Sequence, residues 1–243
     1  MPLTAAPATN QPMSANQLIF TQSMRETRSA LIEWNQHPTK VLRQWLLVAV
    51  SVALGLLFAV FVVGSVVRPA GAVSLPTFDQ PPALADAMRV FGRNVLVLAL
   101  HGFICIAAFM AMRAIPQQVE ARSGIDRWVH QNAARFAMVW IAAATLFSVS
   151  SQVYVLGHSV ANLSLEYGIS TAQLMVTVLP HAVIELTAMF LPLAAFFIAS
   201  RTGKWNELLA ATAATVAIAI PMLVIAAMIE AYAWPILLRA VVL

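Results

Sequence analysis

Five stretches of this chain stay apolar for more than 20 residues each: about Trp45–Val67, Phe91–Met112, Phe136–Leu156, Leu174–Ser200 and Leu208–Ile236. At about 1.5 Å of rise per residue, each is long enough as a helix to cross a hydrocarbon core about 30 Å thick. Backbone polar groups find no water there, so runs of this kind must satisfy them internally, as helices do. Composition agrees, with 60% of the 243 residues hydrophobic and only 10% charged, against roughly 25% charged in a soluble domain. The expected fold is all-α, a polytopic membrane helix bundle of about five transmembrane helices. One transmembrane domain, 41–243, follows a polar segment, 1–40.

Within that segment, residues 1–16 read as disordered from their Pro, Ala, Thr and Asn content. Gln17–Trp34 mixes apolar residues with Arg25, Glu26, Arg28 and Glu33, which suits a short interfacial helix lying on the membrane or a plain solvated one. No apolar run falls where a secretory signal would, so the first span is expected to stay as an anchor. Outside the apolar cores, ten Lys and Arg residues fall on the side of the N-terminus and four on the other. By the positive-inside rule the N-terminus is expected in the cytoplasm. The net charge of +4 comes without a basic cluster interleaved with aromatics, so nothing supports nucleic-acid binding.

The polar residues inside the spans are few. His181 and Glu185 are four residues apart and share one helix face. An ionisable side chain at membrane depth costs about 2.5–3.5 kcal/mol on insertion scales, so this face should look into protein. With the rise of a helix, His101, Glu185 and His181 fall roughly 10–16 Å below the outer surface, and Glu230 about 9 Å below it. The expected buried polar cluster is His181, Glu185 and Glu230, with His101 and the third-span residues Ser148, Ser150, Ser151, Gln152 and Tyr154 as neighbours. Asn94 would close it from above. Such a cluster could lock the helices together, handle protons, bind a metal ion or receive a polar part of a substrate.

Prolines and small residues set further expectations. Pro180 lacks a backbone donor and should start or break the fourth span, and Pro221 should kink the fifth. Ser51, Gly55 and Ala59 make a four-residue stripe on the first span that lets another helix approach closely, within the chain or from a second subunit. Ala211, Thr215 and Ala219 do the same on the fifth. The lone Cys105 lies in an apolar run and is expected to pack as a small hydrophobe. His-Glu-x-x-His, Gly-x-Ser-x-Gly and phosphate-binding glycine loops are all lacking in the sequence. The chain is therefore expected to be no enzyme and to use no cofactor or metal, with any nucleotide energy coming from a separate ATPase.

The segment Pro180-His181-Ala182-Val183-Ile184-Glu185-Leu186 resembles the Pro-His-Gly-x-x-Glu-Leu signature of the stage II sporulation protein M family of bacterial membrane proteins. Arg93-Asn94 followed by Gly102, and Ile229-Glu230-Ala231 followed by Pro235, are similar to two further elements of that family. Ala182 stands where the family has glycine, and Arg93 where a second asparagine is common. The resemblance spans roughly Val41 to Pro235. It implies a five-helix protein of the bacterial inner membrane, without catalysis of its own. It also implies membrane partners: peptidoglycan-degrading proteins for the namesake, peptide-maturation or export systems and AAA ATPases for others.

Two functions are therefore expected. The first is a non-catalytic membrane subunit that scaffolds or anchors a multi-protein assembly, contacting lipid, other membrane subunits and possible further copies of itself. The second is a subunit of a peptide or small-solute exporter working with a separate ATPase.

Overall fold

The computed structural model describes residues 15–67, 84–119 and 124–243. The expected disorder of the first residues and most of the first loop fall outside them. Every regular element described is helical: α1 (Ala15–Gln36), α2 (Pro38–Val66), α3 (Leu84–Val119), α4 (Gly124–Tyr167), α5 (Thr171–Thr202), α6 (Leu208–Met228) and α7 (Trp234–Val242). The protein is an all-α multi-pass membrane bundle. Among the described residues four helical stretches are long and apolar enough to cross a membrane: Pro38–Val66, Leu84–Met110, Thr171–Thr202 and Trp205–Val242. The remaining expected span, 136–156, falls within the 44-residue α4, several of whose side chains lie outside the description.

Close contacts fix the order of the helices. The C-terminal end of α2 meets α4 and the start of α5 around Gly64, where Val160 and Thr171 are neighbours. The N-terminal end of α2 meets the far end of α5, with Trp45, Ala195, Ala199 and Lys204 around one cleft. Successive helices from α2 to α6 thus alternate in direction. α5 is the central helix, with 56% of its most apolar window buried against 22–39% in the other three spans. It packs on α2, α3, α4, α6 and α7.

Small residues on the inward faces let the helices approach closely, as expected where lipid tails are as apolar as leucine. On α2 the inward face is Trp45, Ala49, Ala53, Leu56, Leu57, Val60 and Gly64, while Leu47, Leu54, Phe58 and Val62 are exposed. Ala188, Ala194 and Ala195 of α5 meet Ala211 and Ala219 of α6 in one core. The Ala211–Thr215–Ala219 stripe is accordingly spent on packing within the chain, with exposures of 4%, 0% and 0%. The Ser51–Gly55–Ala59 stripe is not. Ser51 and Gly55 are exposed, Ala59 is half-buried, and a side chain at Gly55 would meet nothing within 4 Å.

Pro180 neither starts nor interrupts its span. α5 begins at Thr171, where Ser170 and Gln173 form a reciprocal capping box, so its start is set nine residues before Pro180 by side chains that satisfy free N–H groups. Pro180, Pro192 and Pro221 all lie inside continuous helices. Each leaves one carbonyl without its donor, a loss that neighbouring helices and side chains make up in a membrane bundle. The interruption comes instead at Ile229–Ala233, a π-helical turn between α6 and α7, in which the Trp234 N–H reaches back to the Ile229 carbonyl. Pro235 follows at the first turn of α7. It can offer Ala231 no donor and its ring crowds that carbonyl, so a locally widened turn relieves both problems. Glycine in the left-handed conformation ends α4 at Gly168 and α5 at Gly203 (φ 67° and 71°).

The N-terminal α1 is a full helix that rests on α6 and the turn before it. Ala30 is buried in that contact, while Met24, Leu31 and Ile32 remain exposed on the helix.

Candidate functional site

Three elements meet at one end of the bundle: the first turns of α3, the middle of α5 and the π-helical turn. α3 contributes Asn94, which is 2% exposed. Glu185 of α5 lies beside it and is near enough to Glu230 and Arg93 to feel both charges. Glu230, in the π-helical turn, faces the same Arg93. The structure thus brings Glu185, Glu230 and Asn94 to one place, and adds Arg93. Arg93 is itself exposed, so its guanidinium reaches the group from the interface side, as long basic side chains do near the ends of spans.

The group is polar beyond what its members satisfy. Asn94 approaches the Glu185 carboxyl, yet its Nδ2 completes no hydrogen bond. His181, one turn before Glu185 on α5 and 7% exposed, also keeps Nδ1 without a partner. Its ring stands edge-on to Trp234, with centroids 6.4 Å apart. The Trp234 indole N–H in turn donates to Thr177 Oγ1 at 3.2 Å, tying the start of α7 to α5. Unpaired buried polar atoms cost about 1–3 kcal/mol each. Two carboxyls, one guanidinium, an amide and an imidazole can hold a shared proton or accept a cationic or amide group. Among the described residues no three His, Cys, Asp or Glu side chains are placed to hold a metal ion.

His101 is placed elsewhere. Its Nδ1 lies 2.7 Å from the Met189 carbonyl, and its ring stacks on Phe190 at 5.7 Å between centroids. It lines a cavity of about 340 Å³ between α3, α4 and α5, together with Ser148 and Gln152. Cys105 is fully buried, with Sγ 3.5 Å from the Pro192 carbonyl. The expected single layer is therefore two groups: Glu185, Glu230, Asn94 and His181 on one side of the α3–α5 contact, and His101 with Ser148 and Gln152 at the cavity.

Arg93, Trp234 and the π-helical turn join the site beyond the cluster expected from the sequence. Arg93 adjoins Asn94 in the chain, where its charge reads as flanking the span. The turn had one signal, Pro235 five residues after Glu230 in a span otherwise expected to be a continuous helix. Compared with known proteins, the chain matches no family model, no curated protein and no solved structure.

Proposed function

We propose that the chain is a non-catalytic integral membrane subunit that anchors a multi-protein assembly, in the manner of the stage II sporulation protein M family it resembles. The observation that favours this reading is the bare Ser51–Gly55–Ala59 face. Here a glycine with free space around it and a serine bonded only back to the Leu47 carbonyl at 2.7 Å face outward, beside Phe58 at 67% exposure. Close helix packing is what such a face serves in lipid, and none of the described residues packs against Gly55. The proposed setting is a bacterial cell membrane with the N-terminus in the cytoplasm. In support, α1 lies against the α5–α6 turn, with Glu33 near enough to Lys204 for their charges to interact, which gathers basic residues at one end of the bundle.

Gly55→Leu tests it. In the full chain isolated from its own membranes in mild detergent, the variant should lose the partner that accompanies the unmodified protein, while its elution as a folded species is unchanged. A partner retained at wild-type level would remove the face from the account. The second reading, a subunit of a peptide or small-solute exporter, is favoured by the unpaired Asn94 and His181 nitrogens beside Glu185 and Glu230. It requires a separate ATPase among the accompanying proteins.

A further inference from the structure

We propose that the cavity between α3, α4 and α5 is a binding site for an uncharged, lipid-soluble alcohol that enters sideways from the bilayer. The cavity of about 340 Å³ falls within the range of small-ligand sites. Its back wall is apolar and packed, made of Leu186, Met189 and Phe190, each under 10% exposed. Its rim is open: Leu100 and Trp140 are 57% and 75% exposed on the outer surface of the bundle. His101 lies about 25 Å along α3 from Leu84 and about 14 Å from Met110, well inside the stretch apolar enough to span. The opening therefore faces hydrocarbon, and a phospholipid headgroup does not reach it.

Polar groups converge at that depth. A carbonyl oxygen only accepts, so the 2.7 Å contact to Met189 places the proton of His101 on Nδ1. The neutral ring is then left with a lone pair on Nε2. Across the cavity, Gln152 Nε2 donates to Ser148 Oγ at 3.2 Å. That bond leaves the second N–H and the carbonyl oxygen of Gln152, and the Ser148 hydroxyl proton, available. Ser148 and Gln152 are exposed on the outer face of α4, where an unsatisfied amide in hydrocarbon is costly. The site thus offers a ring acceptor on one wall and hydroxyl and amide donors on the other. A ligand hydroxyl meets both, donating to His101 Nε2 and accepting from Ser148 or Gln152. A bare acyl chain satisfies none of them, and a charged group would enter without a counter-ion among the described lining residues.

The test uses the full chain in phosphatidylcholine nanodiscs and two photoreactive probes of equal length, a diazirine-bearing long-chain alcohol and the matching alkane without the hydroxyl. The alcohol is expected to label the lining segments of α3, α4 and α5 at least tenfold more than the alkane. His101→Phe keeps the ring volume and its stacking on Phe190, and should lower that labelling about tenfold. If His101→Phe fails to fold, Gln152→Leu decides, since it replaces an exposed amide with an apolar side chain and should lower labelling at least threefold. Equal labelling by both probes would overturn the proposal and leave an acyl-chain groove. So would alcohol labelling unchanged in whichever variant is folded.

Discussion

Gly157→Ala is the substitution for which the structure sets the magnitude most directly. Gly157 of α4 faces Gly64 of α2, and the two backbones approach so closely that an added Cβ would lie 2.7 Å from Val63 Cβ and 3.2 Å from the Gly64 nitrogen. Ordinary carbon contacts need about 3.5–4.0 Å. Val63 Cγ1 is nearer still and could rotate, but Val63 Cβ and the Gly64 backbone cannot, so α2 and α4 must separate by about 1 Å at this crossing. Overpacking of this kind costs about 1–3 kcal/mol, and alanine returns up to about 1 kcal/mol through its better helix propensity. The net expected loss is about 1–2 kcal/mol, a 5- to 30-fold rise in the unfolded fraction. Equilibrium unfolding in mixed micelles by denaturing detergent measures it. Gly92→Ala is the control, because a Cβ there meets nothing within 4 Å, and it should be neutral or slightly stabilising. If the two alanine variants unfold alike, the close crossing of α2 and α4 is not as described.

Trp234→Phe deletes the donor to Thr177 while keeping an aromatic edge against His181, and should cost about 0.5–1.5 kcal/mol in the same unfolding assay. Cys105→Ala removes a small buried group bonded only weakly, and should leave partner association intact, whereas Glu185→Gln and Glu230→Gln should each weaken it; an assembly indifferent to both glutamines would empty the cluster of function. Lys204 donates to Glu207 at 2.9 Å, and this bond holds its ammonium above the ordinary value of 10.5. Because the folded form binds the proton more tightly, the stabilisation is present through neutral pH and fades as pH rises above the ordinary lysine range. Lys204 is more than half exposed, so Glu207→Gln should cost under about 1 kcal/mol at pH 7, with the difference shrinking in strongly alkaline solution.

What could be read in the sequence was whatever depends on run length and helical spacing. The spanning stretches of α2, α3, α5 and α6 follow from apolar length, and His181 and Glu185 share a face because they are four residues apart. What could not be read depends on which neighbour a helix meets. Ser51, Gly55 and Ala59 look as suited to packing as Ala49, Ala53 and Gly64, and only the packed chain shows the second set turned inward. Pro180 breaks helices in water, but inside a bundle whose capping box already sets the start of α5 it is absorbed. Glu230 was recognisable as a buried charge, while the turn that aims it arises from Pro235 acting on a carbonyl four residues back. Arg93 could not be assigned to the cluster from spacing, because its partners come from α5 and the π-helical turn.

Glu185 and Glu230, from separate elements, lie close enough for their charges to interact, with Asn94 and Arg93 beside them. A double-mutant cycle of Glu185→Gln and Glu230→Gln, read as unfolding free energy in mixed micelles, tests it most directly. Groups in one pocket should be non-additive by at least about 0.5 kcal/mol, because neutralising either carboxyl changes what the other faces. Additivity within about 0.3 kcal/mol would mean that the two carboxyls do not interact, and the shared pocket would be contradicted.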